Sequence, residues 1–140
     1  MRIVDANILI YAVNSSASNH AVASKWLDGC LNEGIPLGVP WASLLAFLRI
    51  TTRTGILPAP LSVEAAVSIV DGWLAQPGVH VAHPGPRHAE VFGNLLSGVG
   101  TGGNLTTDAH LAAIAIEHGS ELWSFDADFR RFGGLIFRQL

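Results

Sequence analysis

The strongest chemical signal in the sequence is a set of aspartates that stand where the residue pattern changes. Asp5, Asp108 and Asp126 come from distant parts of the chain, each where a predicted strand ends or a predicted helix begins. In open α/β sheets, ligand sites lie beyond the carboxyl ends of the strands, beside helix N-termini. We therefore expect these carboxylates to form one acidic pocket, with Asn7 and Asp128 near it.

Such a pocket favours a metal ion. Clustered carboxylates repel one another, so their pKa values rise unless a cation compensates. None of the six histidines stands at a zinc-ligand spacing, and hard oxygen ligands suit Mg²⁺ or Mn²⁺ with waters in the remaining positions. A metal held this way activates water and stabilises a phosphoryl transition state. The predicted chemistry is metal-dependent hydrolysis of a phosphate ester.

Each aspartate also has an ordinary structural explanation, and these alternatives stay open at this stage. Asp108 stands in the first turn of a predicted helix, where the helix dipole favours an acidic side chain. Asp126 and Asp128 are of a residue type common in turns. Asp5 is harder to explain in this way, because an aspartate directly after a buried strand needs polar partners.

Basic residues offer contacts to phosphate. Arg49 and Arg53 lie four residues apart on a predicted helix and share one face, which either binds RNA phosphate or is simply solvated. Arg130, Arg131 and Arg138 form a second possible basic edge near the third aspartate. The net charge of −3 provides no general attraction for nucleic acid, so any binding depends on local patches.

Alternating strand and helix patterns must position these groups. The opening segment, Arg2 to Leu9, has β-branched residues directly before a carboxylate, which indicates a buried parallel strand that ends at Asp5. Further strands are predicted at 35–39, 79–82, 122–125 and 135–137. Helices are predicted at 18–32, 41–54, 62–76, 86–97 (with Pro86 as first residue) and 107–118, and a flexible stretch at 98–103. This order predicts one α/β domain over residues 1–140, with a mostly parallel central sheet flanked by helices.

The composition is unusually apolar for a small domain. Hydrophobic residues make up 49% of the chain and charged residues 14%, whereas about 25% charged is typical. This favours a surface hidden against a second copy or a partner chain over a dense core with a sparsely charged surface. The single cysteine, Cys30, and the lack of a membrane-length apolar run predict a cytoplasmic protein.

Three motifs together resemble a known family. Asp5-Ala6-Asn7 after a strand, Thr107 to Ala113 opening a helix, and Ser124 to Phe129 after a strand resemble the PIN domain. Within that family, the chain is similar to VapC-type ribonuclease toxins of bacterial toxin–antitoxin pairs, over nearly its whole length. The stretch around Asp108 is the most specific of the three.

The resemblance implies a three-layer sandwich and Mg²⁺-dependent endoribonuclease activity, with Mn²⁺ as a possible substitute. It also implies a homodimer, an RNA substrate and a VapB-type antitoxin. Asp5 and Asp108 match the family's metal ligands, and Asp126 matches a further acidic position that holds a second metal or orients the attacking water. Supporting roles fall to the polar residues around them, Asn7, Thr107 and Asp128.

One departure from the family pattern keeps other functions in view. The family usually has a glutamate where this chain has Ala46. An inactive module that binds RNA or antitoxin is therefore an alternative, although a site with fewer acids is preferred, since two carboxylates and waters can hold Mg²⁺. A phosphatase with an aspartyl nucleophile is less favoured, because Asn7 replaces its second aspartate and Lys25 is the only lysine.

Overall fold

Five parallel strands form the central sheet of the computed structural model, which describes residues 1–140. The strands lie in the order β3-β2-β1-β4-β5, and every neighbouring pair is parallel. Their bounds are β1 (Arg2–Val4), β2 (Leu37–Val39), β3 (Val79–Val81), β4 (Glu121–Ser124) and β5 (Ile136–Gln139). The predicted α/β fold with a parallel sheet is confirmed.

Six α-helices and one short 3₁₀ helix connect the strands. The α-helices are α1 (Ala6–Val13), α2 (His20–Asn32), α3 (Trp41–Thr52), α4 (Val63–Leu74), α5 (His88–Val99) and α6 (Leu105–Glu117). The 3₁₀ helix covers Ala127–Arg131, between β4 and β5. No helix has both the length and the apolar character needed to cross a membrane.

Successive side chains of each strand point to opposite faces of the sheet, so the core consists of two clusters, one on each face. On β1, Val4 packs into a cluster with residues of α1, α2, α3 and α4, whereas Ile3 packs with residues of α5 and α6. Both side chains are fully buried, as expected for a strand with neighbours on each side. The result is the predicted three-layer arrangement of helices, sheet and helices.

The connections between strands lie on different faces of the sheet on the two sides of the β1–β4 pair. The connections β1-β2 and β2-β3 run over the first face through α1 to α4, and the connection from β3 to β4 runs over the second through α5 and α6. Where connections diverge in this way, a crevice opens at the carboxyl ends of the strands. Asp5 and Ser124 end the two strands on either side of that crevice.

Helix α6 approaches the second face closely because its inward residues are small. Ala109, Ala112, Ala113 and Ala115 are all completely buried, together with Leu111 and Ile114 at 1–2% exposure. Alanines allow backbones to come near without leaving voids, and interiors at crystal-like density tolerate little change in volume. The position of α6, and hence of the Asp108 that it carries, depends on this packing.

Helix α1 was not predicted from the sequence; it begins at Ala6, directly after β1 and Asp5. Asp5 is the N-cap of this helix, and its backbone carbonyl accepts a hydrogen bond from Ile8 N. The residues Ile8, Leu9 and Ile10 are all buried against neighbouring helices. All residues of α1 except Asn7 are apolar or aromatic, and a short run of this kind cannot be distinguished from a buried strand by periodicity.

Two predicted boundaries are wrong by a few residues. Pro86 precedes α5, which begins at His88, because Gly85 and His88 close a turn in which His88 N donates to the carbonyl of Gly85. The stretch at 98–103 is helical through Val99, and Gly100 ends the helix with φ +72°. A left-handed residue after the last turn is a common helix stop, and glycine adopts it without strain.

Enlarging an inward-facing alanine of α6 tests the packing argument. We expect Ala112→Leu to lower the free energy of unfolding by about 1–3 kcal/mol, because the added atoms have no space between helix and sheet. Urea unfolding of the purified protein measures the change. The same substitution at Ala65, which is exposed on α4, serves as the control and should leave stability within about 0.5 kcal/mol. Equal losses from both substitutions would contradict the argument.

Candidate active site

Asp5 lies where β1 passes into α1, with both carboxylate oxygens hydrogen-bonded. Its Oδ1 accepts from the backbone N of Ala6 at 2.7 Å, and its Oδ2 accepts from Ser124 Oγ at 2.6 Å. Burial raises the pKa of this carboxyl above its ordinary value, against the lowering effect of the hydrogen bonds from Ser124 and Ala6. The partners required of a carboxylate after a buried strand are therefore present.

Ser124 joins the ends of the two central strands. Its hydroxyl donates to Asp5 and accepts from Asn7 Nδ2 at 2.8 Å and from the backbone N of Asp126 at 2.9 Å. Asn7 completes the connection, because its Oδ1 accepts from the backbone N of Phe125 at 3.3 Å. Ser124 is fully buried, so these bonds are shielded from competing water.

The sequence analysis did not single out Ser124, although it is the residue that brings the predicted site together. Its only sequence signal is its position, as the last residue of a strand whose next residues include a candidate acid. A serine at the end of β4 becomes informative only once β4 is known to lie beside β1. Asn7, by contrast, was predicted as a supporting residue, and it does lie beside Asp5.

Asp108 stands in the first turn of α6, half-buried at the crevice. Burial raises its pKa to about 6, with further contributions from the negative charges of Asp5, Asp126 and Asp128. The four carboxyl groups are therefore near enough to repel one another, as predicted for an acidic pocket. The residues that were grouped from the sequence share one region of the structure.

Asp126 and Asp128 are exposed at the rim of this region. The backbone N of Asp128 donates to Asp126 Oδ1 at 2.8 Å, so Asp126 caps the 3₁₀ helix. The turn role considered for Asp126 is therefore correct, and it does not conflict with a role in the pocket. One carboxylate oxygen of Asp126 stays without a protein donor.

The donor set fits a hard cation with many water ligands. No three His, Cys, Asp or Glu side chains converge into a ready-made cage. Mg²⁺ does not need one, because it keeps several waters and takes one or two carboxylates together with substrate phosphates. Asp5 and Asp108 can supply those carboxylates. The pKa of Asp108 is raised first by burial and then by the nearby negative charges, which a cation would neutralise.

No acid of α3 replaces the glutamate that the family pattern has at the position of Ala46. Helix α3 contains no Asp or Glu, and Ala46 is half-buried against the first core cluster. A cavity of about 360 Å³ lies along this flank, lined mainly by apolar residues and including Asp5, Asn7 and Ile50. The site therefore has acids on the β1, β4 and α6 sides and an apolar wall on the α3 side.

The predicted basic residues lie at the far end of that wall. Arg49 is in the last turn of α3 and Arg53 follows it, and both side chains are exposed without a carboxylate partner. Ile50, between them, borders the same cavity as Asp5.

Thr107 is exposed and lines a separate pocket. Lys25 lines a cavity on α2 that includes none of the aspartates, so it is not the lysine of a phosphatase site.

Two ribonucleases match this chain over nearly its full length. Ribonuclease VapC37 of Mycobacterium tuberculosis is 47% identical over 139 residues, covering 99% of this chain and 96% of the relative. Ribonuclease VapC33 of the same organism is 41% identical over 135 residues, covering 96% and 94% of the two chains.

Solved structures share the fold at lower identity. The structure of Mycobacterium tuberculosis VapC20, a sarcin-ricin loop cleaving toxin, has a TM-score of 0.71 at 19% identity and covers 99% of both chains. The structure of VapBC2 from Rickettsia felis, bound to a promoter DNA fragment, also has a TM-score of 0.71, at 17% identity over 99% and 98% of the two chains.

The match to the family itself covers nearly the whole chain, since the PIN domain model matches residues 2–135. With this match and the relatives at 41–47% identity, the chain belongs to the PIN-domain family and, within it, to the VapC ribonucleases.

Proposed function

We propose that this chain is a Mg²⁺-dependent endoribonuclease, the toxin of a toxin–antitoxin pair, which hydrolyses phosphodiester bonds in RNA. The observation that carries the proposal is the hydrogen-bonded connection of Asp5, Ser124 and Asp126 at the crevice. The negative charges of Asp5 and Asp126 also act on the Asp108 carboxyl, so it belongs to the same region. The names of the VapC relatives support the ribonuclease part of the proposal. The all-oxygen donor set supports the choice of metal.

Asp5 and Asp108 are the proposed metal ligands, with Mn²⁺ as a substitute for Mg²⁺. When bound, the ion supplies charge neutralisation at the phosphodiester and favours ionisation of the attacking water. Ser124 and Ala6 N fix the orientation of the Asp5 carboxylate before the substrate arrives. Such preorganisation lowers the cost of reaching the reactive geometry.

Asp126 is proposed to orient the attacking water. Its backbone N is held by Ser124 and one of its oxygens by Asp128 N, so the remaining oxygen has a defined direction at the rim. Arg49 and Arg53 are proposed to contact RNA phosphates beyond the apolar wall, because they are exposed and free of acidic partners. Arginine suits this role through bidentate contacts to phosphate.

An inactive binding module is the second candidate, and Ala46 is the observation that favours it. With no acid from α3, the pocket holds fewer ligands than the family pattern provides. The second candidate predicts RNA or antitoxin binding without cleavage. The first is preferred because Asp5 and Asp108, the two acids that Mg²⁺ needs, are present and electrostatically coupled.

The proposed partners are RNA, a VapB-type antitoxin and a second copy of the chain. Support for the antitoxin comes from the structural neighbours, among which are VapBC complexes such as the Rickettsia felis one. Large apolar side chains are exposed on neighbouring helices, Trp41 and Leu45 on α3 and Val63 and Val67 on α4. Exposed apolar surface of this kind suits a protein interface.

Metal-dependent cleavage is the first test. We expect discrete fragments from total bacterial RNA with Mg²⁺ or Mn²⁺, none with chelator, and more than about a hundredfold loss of rate in Asp5→Ala, since even outer-shell changes cost about 10–100-fold. Asp71→Ala, an exposed aspartate on α4, is the control and should cleave normally. If the folded protein cleaves RNA neither with Mg²⁺ nor with Mn²⁺, the inactive binding module is favoured.

Removing the Ser124 hydroxyl tests the connection between the strands. Ser124→Ala should lower the cleavage rate by about 10–100-fold, because Asp5 loses a hydrogen bond that orients it and lowers its pKa. Ser120→Ala is the matched control, a buried serine directly before β4 whose hydroxyl donates only to the carbonyl of His118. Equal rates in the two variants, measured on the same RNA, would contradict the role of Ser124.

The charge of Asp108 makes a thermodynamic prediction. Its pKa in the fold, about 6, lies above the ordinary 3.8, so ionisation destabilises the metal-free protein as pH rises through this range. We expect Asp108→Asn to stabilise the metal-free protein at pH 7 by about 1 kcal/mol, a figure discounted because solvent screens a half-buried group. Below about pH 4 the two proteins should melt alike.

Mg²⁺ should reverse this order, because an ion that binds only the folded state raises the melting temperature. The parent protein is expected to gain stability with Mg²⁺ at pH 7 and Asp108→Asn to gain much less. An equal gain in both proteins would show that Asp108 is not a ligand. Thermal melts of the parent protein and of Asp108→Asn, at pH 7 and below about pH 4 and each with and without Mg²⁺, measure these differences.

A further inference from the structure

A pocket of about 380 Å³ lies beside the acidic crevice, between α5, α6 and the start of α3. Its lining residues are Ala42, His88, Phe92, Thr106, Thr107 and His110. Two of its lining residues are close in sequence to the proposed metal ligand Asp108, with Thr107 directly before it and His110 two residues after it on α6. The lining contains no Asp, Glu, Lys or Arg, so the pocket differs in chemistry from the crevice.

A chain of hydrogen bonds fixes the orientation of His110 in this lining. Glu117 Oε2 lies 2.7 Å from His88 Nδ1, and His88 Nε2 lies 2.8 Å from His110 Nδ1. The side chain of Glu117 is only 8% exposed. Burial acts to raise its pKa, but the hydrogen bonds from His88 and from Gly85 N outweigh this and hold the pKa below the ordinary value.

The direction of these bonds determines what the pocket offers to a ligand. In the arrangement that we adopt, Glu117 is ionised and accepts from His88 Nδ1–H, and His88 is neutral, so its Nε2 is an acceptor. In this arrangement His110 donates through its Nδ1–H, and its Nε2 carries a lone pair. This atom has no partner within the protein and is not sealed from solvent. The His110 ring that carries it lines the pocket.

These features fit a nucleobase better than a phosphate. A phosphate is usually bound by cations or by several donors, and this lining has no Lys or Arg, only the hydroxyls of Thr106 and Thr107 and the two imidazoles. A nucleobase has a flat face and N–H donors on its Watson–Crick edge. Unstacked RNA bases are commonly bound by stacking on Phe or His together with hydrogen bonds to that edge. Phe92 and His88 provide parallel rings, with centroids 6.0 Å apart and an interplanar angle of 11°.

We propose that this pocket binds a base of the RNA beside the bond that is cut, with Phe92 stacking on the base and His110 Nε2 accepting a hydrogen bond from its edge. His88 and Glu117 are positioning residues that hold His110 in the accepting tautomer. The inference rests on the proposed function for its ligand, RNA, and it assigns a source of base preference.

The hydrogen bonds do more than hold α5 against α6. The bond between Glu117 and His88 would be enough for that, whereas His88 also bonds to His110, which lines the open pocket. A transition-metal site is not formed, because His88 Nε2 and His110 Nδ1 are bonded to each other and no three ligand side chains converge. The free nitrogen of His110 is the feature that a ligand would use.

The first experiment measures RNA binding without cleavage. Asp5→Asn protein with Mg²⁺, its fold checked by melting, is titrated with fluorescent RNAs of about twelve nucleotides, namely the four homopolymers and an abasic ribose-phosphate strand. Adding Phe92→Ala should weaken binding of base-bearing strands about tenfold and leave the abasic strand unchanged, since stacking acts on bases alone. Leu96→Ala, one turn along α5, is the matched control.

The second experiment tests His110 and its orientation. His110→Ala should remove the differences in affinity among the homopolymers, and His110→Gln should retain part of them, because its amide oxygen is also an acceptor. Imidazole ¹⁵N shifts should show His110 protonated at Nδ1 in the parent and a mixture of tautomers in His88→Ala. A merely structural His88 would leave that tautomer unchanged.

The outcomes separate the two proposals. If Phe92→Ala weakens the abasic strand as much as the others, or if no RNA binds, the base pocket is wrong. If bases are recognised as expected but the wild-type protein never cleaves RNA, the nuclease proposal fails while the pocket stands. Cleavage that is unaffected by changes at Phe92 and His110 would leave the nuclease without this subsite.

Discussion

The site depends on the cost of placing a carboxylate at the end of a buried strand. Asp5 follows two fully buried residues of the central strand, and a charge there needs compensation. Ser124, from the neighbouring strand, provides a hydrogen bond to one oxygen, and the first helical N–H provides one to the other. Since Ser124 also holds Asn7 and Asp126, the solution to one desolvation problem arranges most of the polar groups at the crevice.

The other half of the site depends on the second face of the sheet. Asp108 reaches the crevice because α6 packs tightly through its alanines, and its first turn lies near the ends of β1 and β4. The same helix carries His110 and Glu117 on its course away from the crevice. One helix therefore contributes an acid to the charged pocket and, in our proposal, a hydrogen-bond acceptor to the pocket between α5 and α6.

Much of this was predictable from the sequence, and the failures have physical reasons. Strand ends and helix starts follow from local pattern, so Asp5, Asp108 and Asp126 were grouped and the parallel α/β fold was predicted. Helix α1 was missed because a short segment that is apolar at all positions but one cannot be distinguished from a buried strand by periodicity. Ser124, His88 and Glu117 were missed because their roles depend on which strands and helices become neighbours. No spacing along the chain encodes a bond such as that between His88 and His110.

The order of the strands also has a consequence for synthesis of the protein. The bond from Ser124 to Asp5 joins residues 119 positions apart, and β1 is the first strand made although it lies at the centre of the sheet. Contacts of such long range form late, because the loop between them must first be closed. A nascent chain therefore carries Asp5 out of the ribosome long before Asp108 and Ser124 follow. The polar connection of the candidate active site therefore forms only after Ser124 has been translated, 119 residues after Asp5.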